Sequence, residues 1–179
     1  MNPPPVRLAY QIEPYLEGLE WAIGGSTLLY TLGLEPNPTD LDLLTTVEHF
    51  PLIGRRLTAL LEPVPQPDHP SFQTAHFARF IASDGTGLDL MAGIRVASEG
   101  GVVSWTFDHA RVARRDGLPW MTPEDWLTLY KLFDRRSRVA QLERYLAEAS
   151  LTPVARVSGL SALNQQGRTS SGHGEDADP

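Results

Sequence analysis

The chain has 179 residues, 41% of them apolar, which is enough to close one substantial core. A net charge of -7 argues against a surface that grips duplex nucleic acid, since phosphate neutralisation needs clustered Lys and Arg, but it leaves room for a nucleotide. With no cysteine, a disulfide framework, a thiolate metal site and a cysteine nucleophile are all excluded.

The first residues, MNPPPVRLAYQ, lack the apolar stretch of a signal peptide, and no apolar run reaches membrane-spanning length. The expectation is a cytoplasmic protein without membrane contact. Residues 6 to 19 place Leu8, Ile12, Tyr15, Leu16 and Leu19 at helical spacing. Trp21-Ala22-Ile23 reads as a short buried strand, followed by Gly24-Gly25-Ser26 and a helix from Thr27 to Leu32. Ser26 suits its N-cap, and Gly33 suits the left-handed position that ends it.

A turn at Pro36-Asn37-Pro38 leads into a second strand carrying Asp40 and Asp42. A helix over 47 to 61 presents Phe50, Ile53, Leu57, Leu60 and Leu61 on one face, with Pro51 in its first turn. Glu62 to Pro70, EPVPQPDHP, is too rich in proline for a helix or a central strand and reads as a loop.

A hairpin comes next: Ala75 to Ala82, a turn at Asp84-Gly85-Thr86-Gly87, and a return strand from Leu88 to Ala92 that continues toward 97. Val102 to Phe107 and Arg111 to Arg115 are shorter strand candidates. Thr122-Pro123-Glu124-Asp125 is a strong helix start, with a hydroxyl cap, proline at the first position and acids in the first turn. That helix runs to about Arg135 and buries Trp126, Leu129, Tyr130 and Phe133, and a last helix covers about 137 to 149. Residues 1 to 150 therefore read as one folded unit and 151 to 179 as an extension. From about 164 that extension has almost nothing to bury and is expected to be disordered, its His173 being incidental to the tail.

Three carboxylates draw attention. Strand side chains alternate between faces, so Asp40 and Asp42 share a face while Leu41 and Leu43 take the other. Two carboxylates so placed repel each other and lose hydration unless a cation lies between them, which is how hard divalent metals are held near phosphates. Asp89 faces away from Leu88 and Leu90 in the same manner. Each piece has a plainer reading when taken alone: a tight turn for Gly-Gly-Ser, a solvated strand edge for Asp-Leu-Asp, an outward side chain for Asp89. His76 reads as a packing histidine.

Together, Gly24-Gly25-Ser26, Asp40-Leu41-Asp42 and Leu88-Asp89-Leu90 resemble the nucleotidyltransferase superfamily of the DNA polymerase β type. The resemblance spans about residues 18 to 148. It is nearest to small bacterial members, among them antibiotic nucleotidyltransferases, minimal nucleotidyltransferases and transferase-type abortive-infection toxins. It implies an α+β fold, a mixed sheet with helices mainly on one face. It also implies two Mg²⁺ ions on Asp40, Asp42 and Asp89 as the catalytic and metal residues, and an NTP as the nucleotide substrate.

The glycine turn with Ser26 would grip the distal phosphates, and Lys131, in the segment TPEDWLTLYKLFDRR, would point to the nucleotide. The implied activity moves a nucleoside monophosphate to a hydroxyl of a small molecule, a protein or a tRNA. Val139 stands where the family usually has an Asp, which removes that supporting contact and leaves Arg135, Arg136 or Arg138 as candidates to meet a phosphate. The rival expectation is a non-catalytic module of the same fold, an antitoxin or scaffold with a protein partner.

Overall fold

The computed structural model describes residues 2–65, 74, 76–98 and 100–151. The expectations for residues 152–179, including the disordered tail and His173, lie outside the described residues.

The chain begins with α1 (Pro4–Ile12), started by prolines at the positions where a missing N–H costs nothing. The predicted helix over 6 to 19 stops early. Its last part is a single 3₁₀ turn, Glu13–Leu16, which swings Tyr15 out to solvent while Leu16 stays buried. Strand β1 (Trp21–Ile23) follows, then α2 (Gly25–Thr31), β2 (Asp40–Thr45), α3 (Phe50–Thr58), β3 (Glu62–Val64), β4 (His76–Ile81) and β5 (Gly87–Ala92). A hairpin of β6 (Ile94–Ser98) and β7 (Gly101–Trp105) precedes β8 (Ala113–Arg115), β9 (Leu118–Trp120), α4 (Pro123–Leu132) and α5 (Arg136–Leu151).

Seven strands form one mixed sheet in the order β3-β4-β5-β2-β1-β9-β8, and β6 and β7 pair separately. Strand β2 runs antiparallel to β1 but parallel to β5, so the two acid-bearing strands lie side by side at the sheet centre. Leu41, Leu43, Leu88 and Leu90, on the face opposite the acids, are completely buried. Helix α3 covers that face: Phe50 meets the ring of His76 at 5.3 Å between centroids, and Ile53 and Leu57 are buried. The packing role expected for His76 fits this contact.

Five local readings need correction. Gly24, not Ser26, caps α2, and Ser26 is already inside the helix. Pro63 lies in a short strand rather than a loop, which it tolerates because β3 is the outermost strand. The return strand of the hairpin does not continue past Ala92, because Gly93 at φ +58° turns β6 away into its own sheet. Strand β9, with Pro119 in its middle, carried no strand signal, yet it pairs with both β1 and β8 and buries Leu118 and Trp120. Helix α4 has the expected cap, Thr122 Oγ1 accepting from the Asp125 N–H at 3.2 Å, but ends at Leu132, before Asp134 at φ +52°.

Candidate active site

Register decides what gathers over the centre of the sheet. Asp42 pairs directly with Asp89 across the parallel β2–β5 ladder, and Asp40 pairs with Gly87 two residues earlier. All three carboxylates therefore rise from one face. One oxygen from each lies within 4.8 Å of the others.

The loop before α2 closes over this group. Gly24 N–H donates to the Asp42 carbonyl at 2.9 Å, and Thr27 Oγ1 donates to the Asp40 carbonyl at 2.8 Å. Gly25 is held at φ +60°, and a Cβ there would lie 1.7 Å from Asp42 Oδ2. No other residue fits, both for backbone strain and for space. A Cβ on Gly24 would lie 2.4 Å from the Trp126 ring, so the first turn of α4 presses directly on the glycine loop. The Ser26 hydroxyl is turned to the acids, donating to Asp40 Oδ1 at 3.3 Å, and Thr39 Oγ1 donates to the same oxygen at 3.1 Å.

Crowding shows in the protonation of Asp42. The surrounding protein strips most of its hydration, and the charges of Asp40 and Asp89 add to this, so its carboxyl is pushed well above the usual range. Arg79 and Arg135 offset the effect in part. Tyr130 lies one turn beyond Trp126 on α4. Burial first, then the nearby carboxylates, pushes its phenol up to about 12. Trp126 meets it edge-on at 5.6 Å between centroids. The indole Nε1 is buried without a partner in hydrogen-bonding geometry, though near enough to temper the Tyr130 shift.

One residue of the cluster escaped the sequence reading. Arg79 lies across β4–β5 from Asp89 and grips both its oxygens, Nε to Oδ1 at 2.6 Å and Nη2 to Oδ2 at 2.5 Å. The hairpin turn was legible, and counting back from it through Ile81–Gly87 would have placed Arg79 opposite Asp89.

Lys131 is not brought to the carboxylates. Its ammonium pairs with Glu143 of α5 at 2.8 Å, both side chains about half exposed. Of the arginines considered for that role, Arg136 pairs with Asp134 at 3.0 Å, and Arg138 binds Glu35 at 2.5 Å and Gln141 at 3.1 Å. The Arg138 hydrogen bond, with the Asn37 N–H, holds the Glu35 carboxyl below its usual range. Of these three arginines, Arg135 is the one whose charge acts on Asp42, alongside that of Arg79.

The donor set suits a hard divalent cation. It offers only carboxylate oxygens, converging from two adjacent strands, around an Asp42 whose charge lacks full compensation. Among the described residues no helix is long and apolar enough to cross a membrane.

This is the fold of the nucleotidyltransferases, as the glycine turn and acid strands led us to expect. Among solved structures, a candidate nucleotidyltransferase of Thermotoga maritima is similar with a TM-score of 0.59 and 23% identity, over 80% of this chain and 92% of its own. The lincosamide antibiotic adenylyltransferase LnuA matches at a TM-score of 0.49 and 15% identity, over 80% of this chain and 98% of its own. No protein-family model matches the sequence, and no curated protein matches it significantly.

Proposed function

We propose that the protein is a metal-dependent nucleotidyltransferase that moves a nucleoside monophosphate from an NTP, with Mg²⁺, to a hydroxyl acceptor: a small molecule, a protein or a tRNA. The observation that carries this reading is the convergence of Asp40, Asp42 and Asp89 beneath a glycine loop that admits no side chain. A purely structural role has no use for three carboxylates placed where they repel one another.

Asp40, Asp42 and Asp89 would hold two divalent ions, whose chemistry is to neutralise the triphosphate and favour in-line attack. Gly24 and Gly25 would let backbone N–H groups approach the distal phosphates, with Ser26 adding a hydroxyl once it turns from Asp40. Lys131 would join them by leaving Glu143, a step of small cost because exposed ion pairs contribute little, of order 1 kcal/mol or less. Arg135, whose charge acts on Asp42, would meet the same negative charge.

Asp89 would accept the acceptor's proton as the hydroxyl oxygen bonds to the α-phosphorus and the bond to pyrophosphate breaks. Most of the rate would come from positioning and charge, not from covalent chemistry on the protein.

Calorimetric titration of each NTP, with and without Mg²⁺, into the wild type and into Asp40→Asn/Asp42→Asn tests the reading. Metal-dependent binding lost in the double variant is expected. A folded wild type that binds no nucleotide would favour a non-catalytic module of this fold.

A further inference from the structure

We propose that Arg79 is a resident counter-ion of the acid cluster, a charge with which a divalent cation must share Asp89, so that the site loads metal well only together with a triphosphate. The inference rests on the metal-site reading above and concerns how that site fills.

Three observations carry it. The guanidinium spans both oxygens of Asp89 with its two-pronged edge, using one lone pair of each. The second lone pairs remain, so a metal and Arg79 can occupy Asp89 together, though as two positive charges a few ångströms apart. Secondly, the pair is built by pairing register, Arg79 opposite Asp89, and Arg79 also lies over the Phe77 ring at 5.9 Å from its centroid. Thirdly, Asp40 and Asp42 act on Arg79 as well, so its charge serves the whole cluster and not Asp89 alone.

With Arg79 in place the cluster has two net negative charges at full ionisation instead of three. That lessens the repulsion among the acids, and equally lessens their pull on a free cation. A nucleotide triphosphate changes the balance, because it brings its own negative oxygens to the metal and offsets the guanidinium. The Arg79 side chain is about one-third exposed, so it is not locked into the core and can yield to such a change.

The test is binding of Mn²⁺, followed by electron paramagnetic resonance of the free ion, with and without a mixture of α,β-methylene ribonucleoside triphosphates. Wild type is expected to bind Mn²⁺ weakly alone and at least about tenfold more tightly with the analogues. Arg79→Gln is expected to take up Mn²⁺ alone at least about tenfold more tightly than wild type, and to gain correspondingly less from the analogues. Arg79→Lys, which keeps the charge but not the two-pronged edge, is expected to stay near wild type. Should Arg79→Gln unfold, Arg79→Met, an unbranched and uncharged side chain, carries the same comparison.

A merely structural arginine would give the opposite sign, with Mn²⁺ affinity falling as the cluster loosens. Unchanged or weaker Mn²⁺ binding in a folded Arg79→Gln overturns the inference while leaving the site intact. A wild type that retains no Mn²⁺ even with the analogues overturns the metal site itself, and this inference with it.

Discussion

Gly25 is where the site tolerates least. Alanine there would meet Asp42 Oδ2 and be strained at a positive φ, the backbone alone costing about 1 kcal/mol or more. Gly25→Ala is expected to lose at least about tenfold in metal–nucleotide affinity, while its melting point falls by only a few degrees. Calorimetry on both properties checks this, and a variant binding like wild type would remove the glycine loop from the site.

Asp42 makes a second prediction, of opposite sense for stability. Its folded carboxyl lies well above the ordinary 3.8, through burial first and then Asp40 and Asp89. Between those two values the native state holds more protons than the unfolded chain, so metal-free stability falls as pH rises through that window. Asp42→Asn, which bears no charge, should therefore melt higher than wild type at pH 7 without metal. It should also lack the rise in melting point that is expected of wild type with Mg²⁺. Equal melting of the two metal-free proteins would mean that Asp42 ionises without penalty.

Helix α4 bears on the glycine loop through the Trp126 ring, which lies against Gly24. Gly24→Ala should destabilise the fold by about 1–3 kcal/mol through overpacking. In a Trp126→Leu background the same change should cost at least about 1 kcal/mol less, a coupling that urea unfolding of the four proteins measures. Additive costs would mean that α4 and the loop do not press on each other. Capping is a separate matter: Thr122→Ala removes the acceptor for the Asp125 N–H and should cost about 1 kcal/mol.

The same helix shows why the separate surroundings of two basic residues could not be read from the chain. Lys131 and Arg135 are four residues apart, a spacing that shares a face on an unbroken helix. The break at Leu132 and the left-handed Asp134 separate them, and leave Lys131 on Glu143 and Arg135 near Asp42. The carboxylate cluster and its glycine turn, by contrast, were legible because they depend on local pattern: a strand, a glycine turn, and acids alternating with leucines. Arg79 was hidden for a different reason. Flanked by Phe77, Ala78 and Phe80, it looks like an outward side chain on a two-sided strand, and only the pairing of two strands gives it a partner.

For the molecule as a whole, the described residues account for the sheet, its covering helices and the candidate site, and α5 runs through Leu151. A chain ending at Leu151 is expected to unfold cooperatively within a few degrees of the 179-residue chain and to bind nucleotide alike. Scanning calorimetry decides this, and a broad or much lower transition would assign residues 152–179 to the folded unit.

The turn between β4 and β5 has a consequence for how such a protein can vary. Asp84 Oδ1 accepts from the Thr86 N–H at 3.0 Å, and the Gly85 N–H donates to the Ala82 carbonyl, so the two strands are joined in one frame. A slip of one residue would set Ala78 or Phe80 across from Asp89 and turn Arg79 to the opposite face. Most surface loops absorb insertions freely, but the number of residues in this one specifies which charge stands beside the three carboxylates. Length there is inherited as chemistry.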